Sequence, residues 1–154
     1  MIYMHKETFD ITQEFSCSGD ISQLLSNSVN TFQNYFPIDD AIALPIQILN
    51  RKGYLTEACC SGHPFYNLKE SYILFKYGIF LPTVPPGFTI KPPLHIYKYV
   101  NRMKCNKVLI RKNYDENDVY KLMRDVINAM EQLYKWVSDL PDFDIKDYGD
   151  ERTV

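Results

Sequence analysis

The sequence predicts an α+β domain, in which a central antiparallel or mixed sheet of about four to five strands is covered by helices. Three observations predict this class: helical apolar periodicity in the first third of the chain, short aromatic and β-branched runs in the middle, and one long amphipathic stretch near the end. We expect one domain over 1–140 and an acidic, frayed tail over 141–154. A chain of 154 residues needs no disulfide or structural metal to fold, because a domain of this size buries about 70% of the surface that its unfolded chain exposes.

The first quarter of the chain is predicted to hold a short strand over 1–9 and a helix over 18–36. The helix begins after Ser18 or Asp20, which are both good capping residues, and Pro37 ends it. Its apolar residues recur at helical spacing: Ile21, Leu24, Leu25, Val29, Phe32 and Phe36.

A second helix is predicted over 43–52, where apolar residues continue the helical pattern. Pro45 is compatible with the first turn of this helix, and Gly53 supplies its C-terminal stop. A short link then leads into a strand, which we place at 54–60.

The middle of the chain is predicted to supply the other strands. Residues 71–77 alternate and are rich in aromatic and β-branched side chains, which is typical of a strand. Residues 95–100 and 107–112 are predicted to form a hairpin. Five of the nine prolines lie between 82 and 93, and this density predicts a loop or an irregular edge, with a possible role as a lid.

The last helix is the clearest element in the sequence. Asp115 is predicted to cap it, and Asp118 lies near the positive end of its dipole. Its apolar stripe runs over about five turns and consists of Val119, Leu122, Met123, Val126, Ile127, Met130, Leu133, Tyr134 and Val137.

The composition, 45% apolar and 23% charged, is that of a globular protein, and we expect a cytoplasmic one. No apolar run approaches the roughly 20 residues of a membrane span, and the N-terminus carries charge where a signal peptide is apolar. Abundant Ile, Lys, Tyr and Asn beside few alanines suit an AT-rich genome, such as that of a low-GC bacterium or its phage. All four cysteines are expected to be reduced: Cys17, Cys59, Cys60 and Cys105.

Charge is segregated along the chain. Residues 71–114 contain eight basic residues and no acidic one, whereas both flanking parts are net acidic. Such segregation favours an anionic partner for the middle segment. The alternative is that these cations only solvate an exposed face of a sheet.

The segment 58–64, with the sequence ACCSGHP, contains two thiols, a hydroxyl and an imidazole within seven residues. Cys60 and His63 have the C-x-x-H spacing of zinc ligands, but a tetrahedral site usually takes two such pairs, so no metal is assigned. A nucleophilic cysteine would need an orienting partner for His63, and the sequence nominates none. A second set of metal ligands would have to come from Cys17, His95 and Cys105.

A backbone cradle is the preferred interpretation of this segment. Gly62 permits a positive φ, which lets successive N–H groups converge on an anion. Pro64 holds His63 extended, so that the imidazole projects from the turn. One of Cys59 and Cys60 should pack in the core, because adjacent strand residues face opposite ways.

Residues 49–63, with the sequence LNRKGYLTEACCSGH, resemble the signature of the third-step wybutosine-synthesising methyltransferase family, which has an Asn, a Thr and a Ser-Cys-Ser-Gly-Arg core. Residues 93–96, PLHI, resemble that family's later Pro, apolar, His, Val segment. Cys59 and His63 stand where the family has Ser and Arg. The resemblance implies a non-Rossmann α/β fold, S-adenosylmethionine as cofactor and a modified guanosine of transfer RNA as substrate.

The preferred hypothesis is a protein that binds a small anionic, nucleotide-like ligand in a basic, tyrosine-rich pocket, with a phage-type sequestering role as one use. Its alternatives are an S-adenosylmethionine-dependent RNA-modifying methyltransferase and an RNA- or partner-binding module. Tyrosines could stack on a base in such a pocket. The predicted ligand-binding residues are Cys60, Ser61, Gly62, His63, Tyr72, His95, Tyr97, Lys98, Tyr99, Arg102, Lys107 and Arg111.

Overall fold

A computed structural model describes residues 2–12, 34–94 and 107–144 of the chain. Within these ranges the protein has two antiparallel sheets, of three and four strands, and two α-helices, of which the longer is C-terminal. The predicted α+β class is confirmed. The strands form two sheets, however, and not the single central sheet that was expected.

The three-stranded sheet consists of β1 (Ile2–His5), β2 (Ile11–Thr12) and β3 (Tyr35–Ile38), in the order β2-β1-β3. The predicted strand within 1–9 is therefore confirmed. The end of the predicted helix over 18–36 is wrong, because Tyr35 and Phe36 belong to β3, and residues 13–33 lie outside the described ranges. Pro37, expected to stop a helix, instead lies in a strand at the sheet's edge, where the missing N–H is tolerated.

The first helix, α1, spans Asp40–Arg51 and so begins three residues before its predicted start. Pro45 lies in its second turn. Gly53 follows the helix with φ +96°, as the predicted C-terminal stop requires. Asp39 occupies the N-cap position, but its side chain makes no capping hydrogen bond. Its carboxylate is engaged elsewhere, at the end of the next strand.

The four-stranded sheet has the order β4-β5-β7-β6, and every neighbouring pair is antiparallel. A short 3-10 helix, Pro64–Tyr66, follows the turn after the first of these strands. The strands are β4 (Thr56–Cys60), β5 (Glu70–Phe75), β6 (Thr89–Lys91) and β7 (Leu109–Asn113).

The neighbours of β7 differ from the prediction. Strand β7 pairs with β5 along one edge and with β6 along the other. The strand beside Leu109–Arg111 therefore comes from the proline-rich segment 82–93. The predicted partner strand 95–100 lies outside the described ranges. The residues of β6 form a proline-free stretch within that segment, which allows three residues to join the ladder.

The second helix, α2, spans Val119–Asp139. Its N-cap is Asp118, whose Oδ1 accepts hydrogen bonds from the backbone N–H groups of Tyr120 and Lys121 at 3.0 Å each. The prediction that Asp115 caps the helix is wrong, because a cap must lie directly before the first turn. The apolar stripe is also narrower than predicted, since Ile127 and Tyr134 are exposed.

One hydrophobic core joins both sheets and both helices. Lys52 closes the C-terminal end of α2 from outside the helix: its Nζ donates to the carbonyl oxygens of Val137 (2.8 Å), Ser138 (2.9 Å) and Leu140 (2.6 Å). These are carbonyls that a helix leaves without partners, and a cation suits the negative end of the dipole.

The first residues of the predicted tail are held on the domain. The hydroxyl of Tyr54 donates to the carbonyl oxygen of Pro141 at 2.8 Å, and the N–H of Phe143 donates to the carbonyl oxygen of Lys52 at 2.7 Å. The ring of Phe143 lies 5.3 Å from that of Tyr54. Residues 141–144 therefore belong to the folded domain, and residues 145–154 lie outside the described ranges.

Within the described ranges, neither helix combines the length and the apolar character that crossing a bilayer would require.

Candidate functional site

Several predicted site residues lie side by side across the four-stranded sheet. Cys60 on β4 pairs with Tyr72 on β5, and Tyr72 pairs with Arg111 on β7. Paired residues of neighbouring strands point to the same face, so these three side chains form one row. Thr89 on β6 completes the row. Three of the twelve predicted ligand-binding residues therefore share one face of this sheet.

The remaining predicted residues divide into two groups. Ser61, Gly62 and His63 form the turn after β4, and Lys107 lies just before β7. Five others fall outside the described ranges, so their prediction stays untested: His95, Tyr97, Lys98, Tyr99 and Arg102.

The N–H groups of the turn after β4 do not converge on one acceptor, because those of Ser61 and Gly62 donate to two different groups of the protein itself. The N–H of Ser61 donates to Asp39 Oδ2 at 3.0 Å, and the Ser61 hydroxyl lies 3.3 Å from the same oxygen. Gly62 has φ +91°, as predicted, and its N–H points to the sulfur of Cys60 at 3.4 Å. The predicted use of these N–H groups for a bound anion is therefore corrected: they serve Asp39 and Cys60.

Asp39 is the residue that the sequence did not reveal. It also lies 3.2 Å from Nε2 of His63, and so provides the orienting carboxylate that could not be nominated before. One ligand atom each from Asp39, Cys60 and His63 lie within 4.8 Å of one another. The only signal in the sequence was the Asp39-Asp40 pair before α1, where one carboxylate is free to leave the cap.

The two neighbouring cysteines have different surroundings. Burial above all, followed by the charge of Asp39, raises the pKa of Cys59 to about 12. Burial also raises the pKa of Cys60, whereas the hydrogen bond from Gly62 lowers it and the charge of Asp39 raises it. Cys60 is thus the thiol with both solvent access and a donor that stabilises the thiolate.

Neighbouring strands supply carboxylates to the basic middle segment. Lys107 Nζ lies 2.6 Å from Glu57 Oε1 on β4, and Arg111 Nη1 lies 3.9 Å from Glu70 Oε1 on β5. The charge segregation along the sequence is therefore reduced in space. Tyr72 lies between Cys60 and Arg111 on the half-buried face, and burial raises its pKa.

A cleft of about 870 Å³ runs along the part of β4 that precedes the turn. One wall belongs to the three-stranded sheet and its 6–9 turn, and the other belongs to β4 and its flanks. None of the seven predicted ligand-binding residues that the structure describes lines it. The described lining residues are Lys6, Glu7, Phe9, Phe36, Pro37, Asn50, Leu55, Thr56, Glu57, Ala58, Cys59 and Lys76.

The sequence could not reveal this cleft, because its walls come from segments that are separated in the chain, namely the 6–9 turn, β3 and β4. Phe36 was assigned to the apolar face of a helix, and the 6–9 turn was assigned to a strand. The structure places Phe36 on β3, where it faces the cleft.

Comparisons with protein-family models, with curated proteins and with solved structures found no match to this chain. The resemblance of 49–63 to the wybutosine-synthesising family therefore stays a prediction.

Proposed function

We propose that this protein binds a small aromatic anion of nucleotide size in the cleft beside β4. The observation that carries the proposal is the composition of the cleft: two phenylalanines and two lysines line a space of about 870 Å³. Pockets for small ligands commonly occupy about 300–1,000 Å³ and combine apolar walls with a few polar groups. The ligand class is the one expected from the sequence, whereas the described lining residues differ from the described residues of the predicted set.

The aromatic wall is built from Phe9 and Phe36. Both are partly buried and pack against the hydrophobic core, so they offer fixed ring faces to a planar ligand. Stacking of a base on an aromatic side chain is worth about 1–3 kcal/mol in single-strand binders. The wall therefore favours a ligand with an aromatic ring.

The backbone of Phe9 supports a pre-formed wall. Phe9 has φ +62°, a conformation that is uncommon for a bulky residue and that is found at ligand sites when the surroundings hold it. Gln47 Nε2 donates to the carbonyl oxygen of Phe9 at 2.9 Å, and Arg51 Nε donates to that of Thr8 at 3.3 Å. Helix α1 thus fixes the turn that carries Phe9.

Charge favours an anion at the rim of the cleft. Lys6 and Lys76 are exposed, and neither forms an ion pair with a described residue. Glu57, which also lines the cleft, is paired with Lys107. The charged lining residues without an ion pair to a described residue are therefore Lys6, Lys76 and Glu7, and their net positive charge suits one phosphate or carboxylate group.

The test is a series of binding measurements that distinguishes the contribution of the ligand's aromatic ring from that of its negative charge. Adenosine, adenosine monophosphate, guanosine monophosphate, S-adenosylmethionine and a short single-stranded RNA are titrated by calorimetry, with thermal shift in parallel. We expect a monophosphate to bind more tightly than its nucleoside. A ligand at about 100 times its dissociation constant should add about 2.7 kcal/mol to the free energy of unfolding.

Variants locate the site. Lys6→Ala and Lys76→Ala should weaken monophosphate binding without changing nucleoside binding, and Phe36→Leu should weaken both. Lys121→Ala, an exposed lysine on α2, is the matched control and should have no effect. Absence of binding to every compound, or equal binding by the lysine variants and the parent, would refute the proposal. Binding of S-adenosylmethionine alone would favour the methyltransferase, and tight, salt-sensitive RNA binding would favour the RNA-binding module.

A further inference from the structure

We propose that Asp39, Cys60 and His63 form a binding site for one Zn²⁺ ion, with three protein ligands and an open fourth position. This site is separate from the proposed ligand cleft and does not depend on it. The sequence shows two of the three ligands, the C-x-x-H pair of Cys60 and His63. Folding adds the third ligand from the start of α1.

The donor set suits zinc. A thiolate sulfur, an imidazole nitrogen and a carboxylate oxygen are the three ligand types that zinc takes in proteins, and three protein ligands with one open position are typical of its catalytic sites. The charges also balance, because one thiolate and one carboxylate neutralise a dication. Calcium and magnesium prefer oxygen ligands alone, so a site with sulfur and nitrogen disfavours them.

The distances are close to those of a tetrahedral site. Ordinary zinc–ligand bond lengths place the nitrogen and oxygen ligands about 3.3 Å apart and the sulfur about 3.6 Å from each of them. His63 Nε2 and Asp39 Oδ2 are 3.2 Å apart. Since all three ligand atoms lie within 4.8 Å of one another, each distance from the sulfur exceeds its tetrahedral value by at most about 1.2 Å.

Hydrogen bonds already hold two of the ligands in place. The N–H of Ser61 donates to Asp39 Oδ2, the same oxygen that faces His63. The N–H of Gly62 donates to Cys60 Sγ and stabilises the thiolate, the form that binds metal. This second bond depends on the positive φ of Gly62, where a Cβ would also lie 3.3 Å from the carbonyl oxygen of Glu70.

Solvent can reach the site. The side chains of His63 and Asp39 are 36% and 28% exposed, and Cys60 is half-buried. A structural zinc site is normally closed by a fourth protein ligand. Partial exposure of all three ligands instead leaves room for a water molecule or a substrate oxygen at the fourth position.

Cys59 supplies a matched control within the same strand. It points to the opposite face of β4 from Cys60 and packs against the hydrophobic core. If the metal bound to any accessible cysteine, removal of either thiol would lower the metal affinity. At the proposed site, of these two cysteines, only Cys60 binds the metal, so only its removal should lower the affinity.

The experiment measures metal binding by the full chain. The reduced, chelator-treated protein is titrated with Zn²⁺ against a chromophoric chelator and, separately, with Co²⁺ in the visible range. We expect one equivalent per chain and the tetrahedral cobalt spectrum with a sulfur-to-metal band. Cys60→Ala and His63→Ala should weaken zinc binding by about 100-fold or more, because even the loss of an outer-shell partner costs about 10–100-fold. Asp39→Asn, which keeps an oxygen for the N–H of Ser61, should weaken it by about tenfold or more.

The controls decide between this site and any other. Cys59→Ala should bind zinc as the parent does, and its cobalt spectrum should be unchanged. No binding of added zinc by the parent, a cobalt spectrum without a sulfur band, or an equal loss of zinc affinity in Cys59→Ala would overturn the proposal. A measurement on the unmutated protein keeps the proposal testable if a variant does not fold. One equivalent of Zn²⁺ should slow the alkylation of Cys60 and leave the alkylation rate of Cys59 unchanged. Equal alkylation rates of Cys60 with and without zinc would also overturn the proposal.

Discussion

The two faces of the four-stranded sheet differ in what their side chains are free to do. On one face Ile73 and Ile110 are paired and fully buried, and Cys59 packs with them. On the other face the row of Cys60, Tyr72 and Arg111 remains half-exposed. Residues adjacent in the sequence alternate between these faces. One of two neighbouring residues therefore packs in the core, while the next has a side chain that can reach a ligand.

The adjacent cysteines show this difference most directly. Cys59 is held as a thiol by burial, and its pKa is raised to about 12. Cys60 accepts a hydrogen bond from Gly62 and lies beside Asp39 and His63. A residue type therefore indicates reactivity only when its face is known, and the sheet register is what assigns the face.

The largest expected effect is a difference in stability between truncations on the two faces of the four-stranded sheet. Ile73→Ala removes a fully buried side chain and should lower the free energy of unfolding by about 2–5 kcal/mol, because a cavity is added to the lost transfer free energy. Leu74→Ala, one residue further on the half-exposed face, should cost about 1 kcal/mol. Urea denaturation of the two variants measures both values. Equal losses would show that the second face is buried as deeply as the first.

A smaller effect is expected from the polar group inside the buried face. Ser71 is fully buried; its hydroxyl donates to the carbonyl oxygen of Ser61 at 2.7 Å, so the hydroxyl of Tyr114, also at 2.7 Å, must donate to it. Ser71→Ala leaves both groups without this partner and should cost about 1–3 kcal/mol. Thr89→Ala on the exposed face is the control, and it should change stability by no more than about 0.5 kcal/mol. A loss in Ser71→Ala as small as that of the control would contradict the network.

A pH series tests the difference between the cysteines. Because the pKa of Cys59 rises from 9.0 to about 12 on folding, the folded state keeps a proton that the unfolded state loses above about pH 9. Stability is therefore complete below pH 9 and falls as the pH rises towards 12, by at most about 1.4 kcal/mol per unit for this group. Urea denaturation between about pH 8 and pH 10.5 should show a shallower fall in Cys59→Ala than in the parent.

Cys60→Ala should change the slope of that pH series less than Cys59→Ala does. The Cys60 thiol is more exposed, and the Gly62 N–H stabilises its thiolate. Tyr72 and Tyr114, whose pKa values are also raised by burial, contribute in the same direction in all three proteins. Identical slopes for the parent and Cys59→Ala would contradict the assignment of Cys59 to the buried face.

Local patterns in the sequence predict much of this fold. Apolar periodicity locates α2, Gly53 ends α1, and alternation identifies β5, because each of these signals lies within one turn or one strand. Contacts between distant segments have no such local signal. Lys52 caps α2 from about 85 positions away in the chain, and nothing in the sequence around it predicts that contact.

The candidate site shows the same limit. The positive φ of Gly62 in the turn 61–63 follows from the residues themselves, and so do the opposite orientations of the Cys59 and Cys60 side chains on β4. Asp39 could not be assigned, because its carboxylate reaches the turn only after α1 packs beside β4. The positive φ of Gly62 was predicted correctly, whereas the Ser61 N–H donates to Asp39, an acceptor that this packing brings to the turn.

The smallest expected effect concerns the charges on the exposed face. Arg111 and Glu70 are 37% and 41% exposed, and their closest atoms are 3.9 Å apart, so water and salt screen the pair. A double-mutant cycle with Arg111→Ala and Glu70→Ala should give a coupling below about 0.5 kcal/mol, and the shorter pair of Lys107 and Glu57 should give somewhat more, within about 1 kcal/mol. Both couplings should shrink when the salt concentration is raised. A coupling of about 2 kcal/mol that resists salt would mean that this face is shielded from solvent, and the contrast between the two faces would then no longer hold.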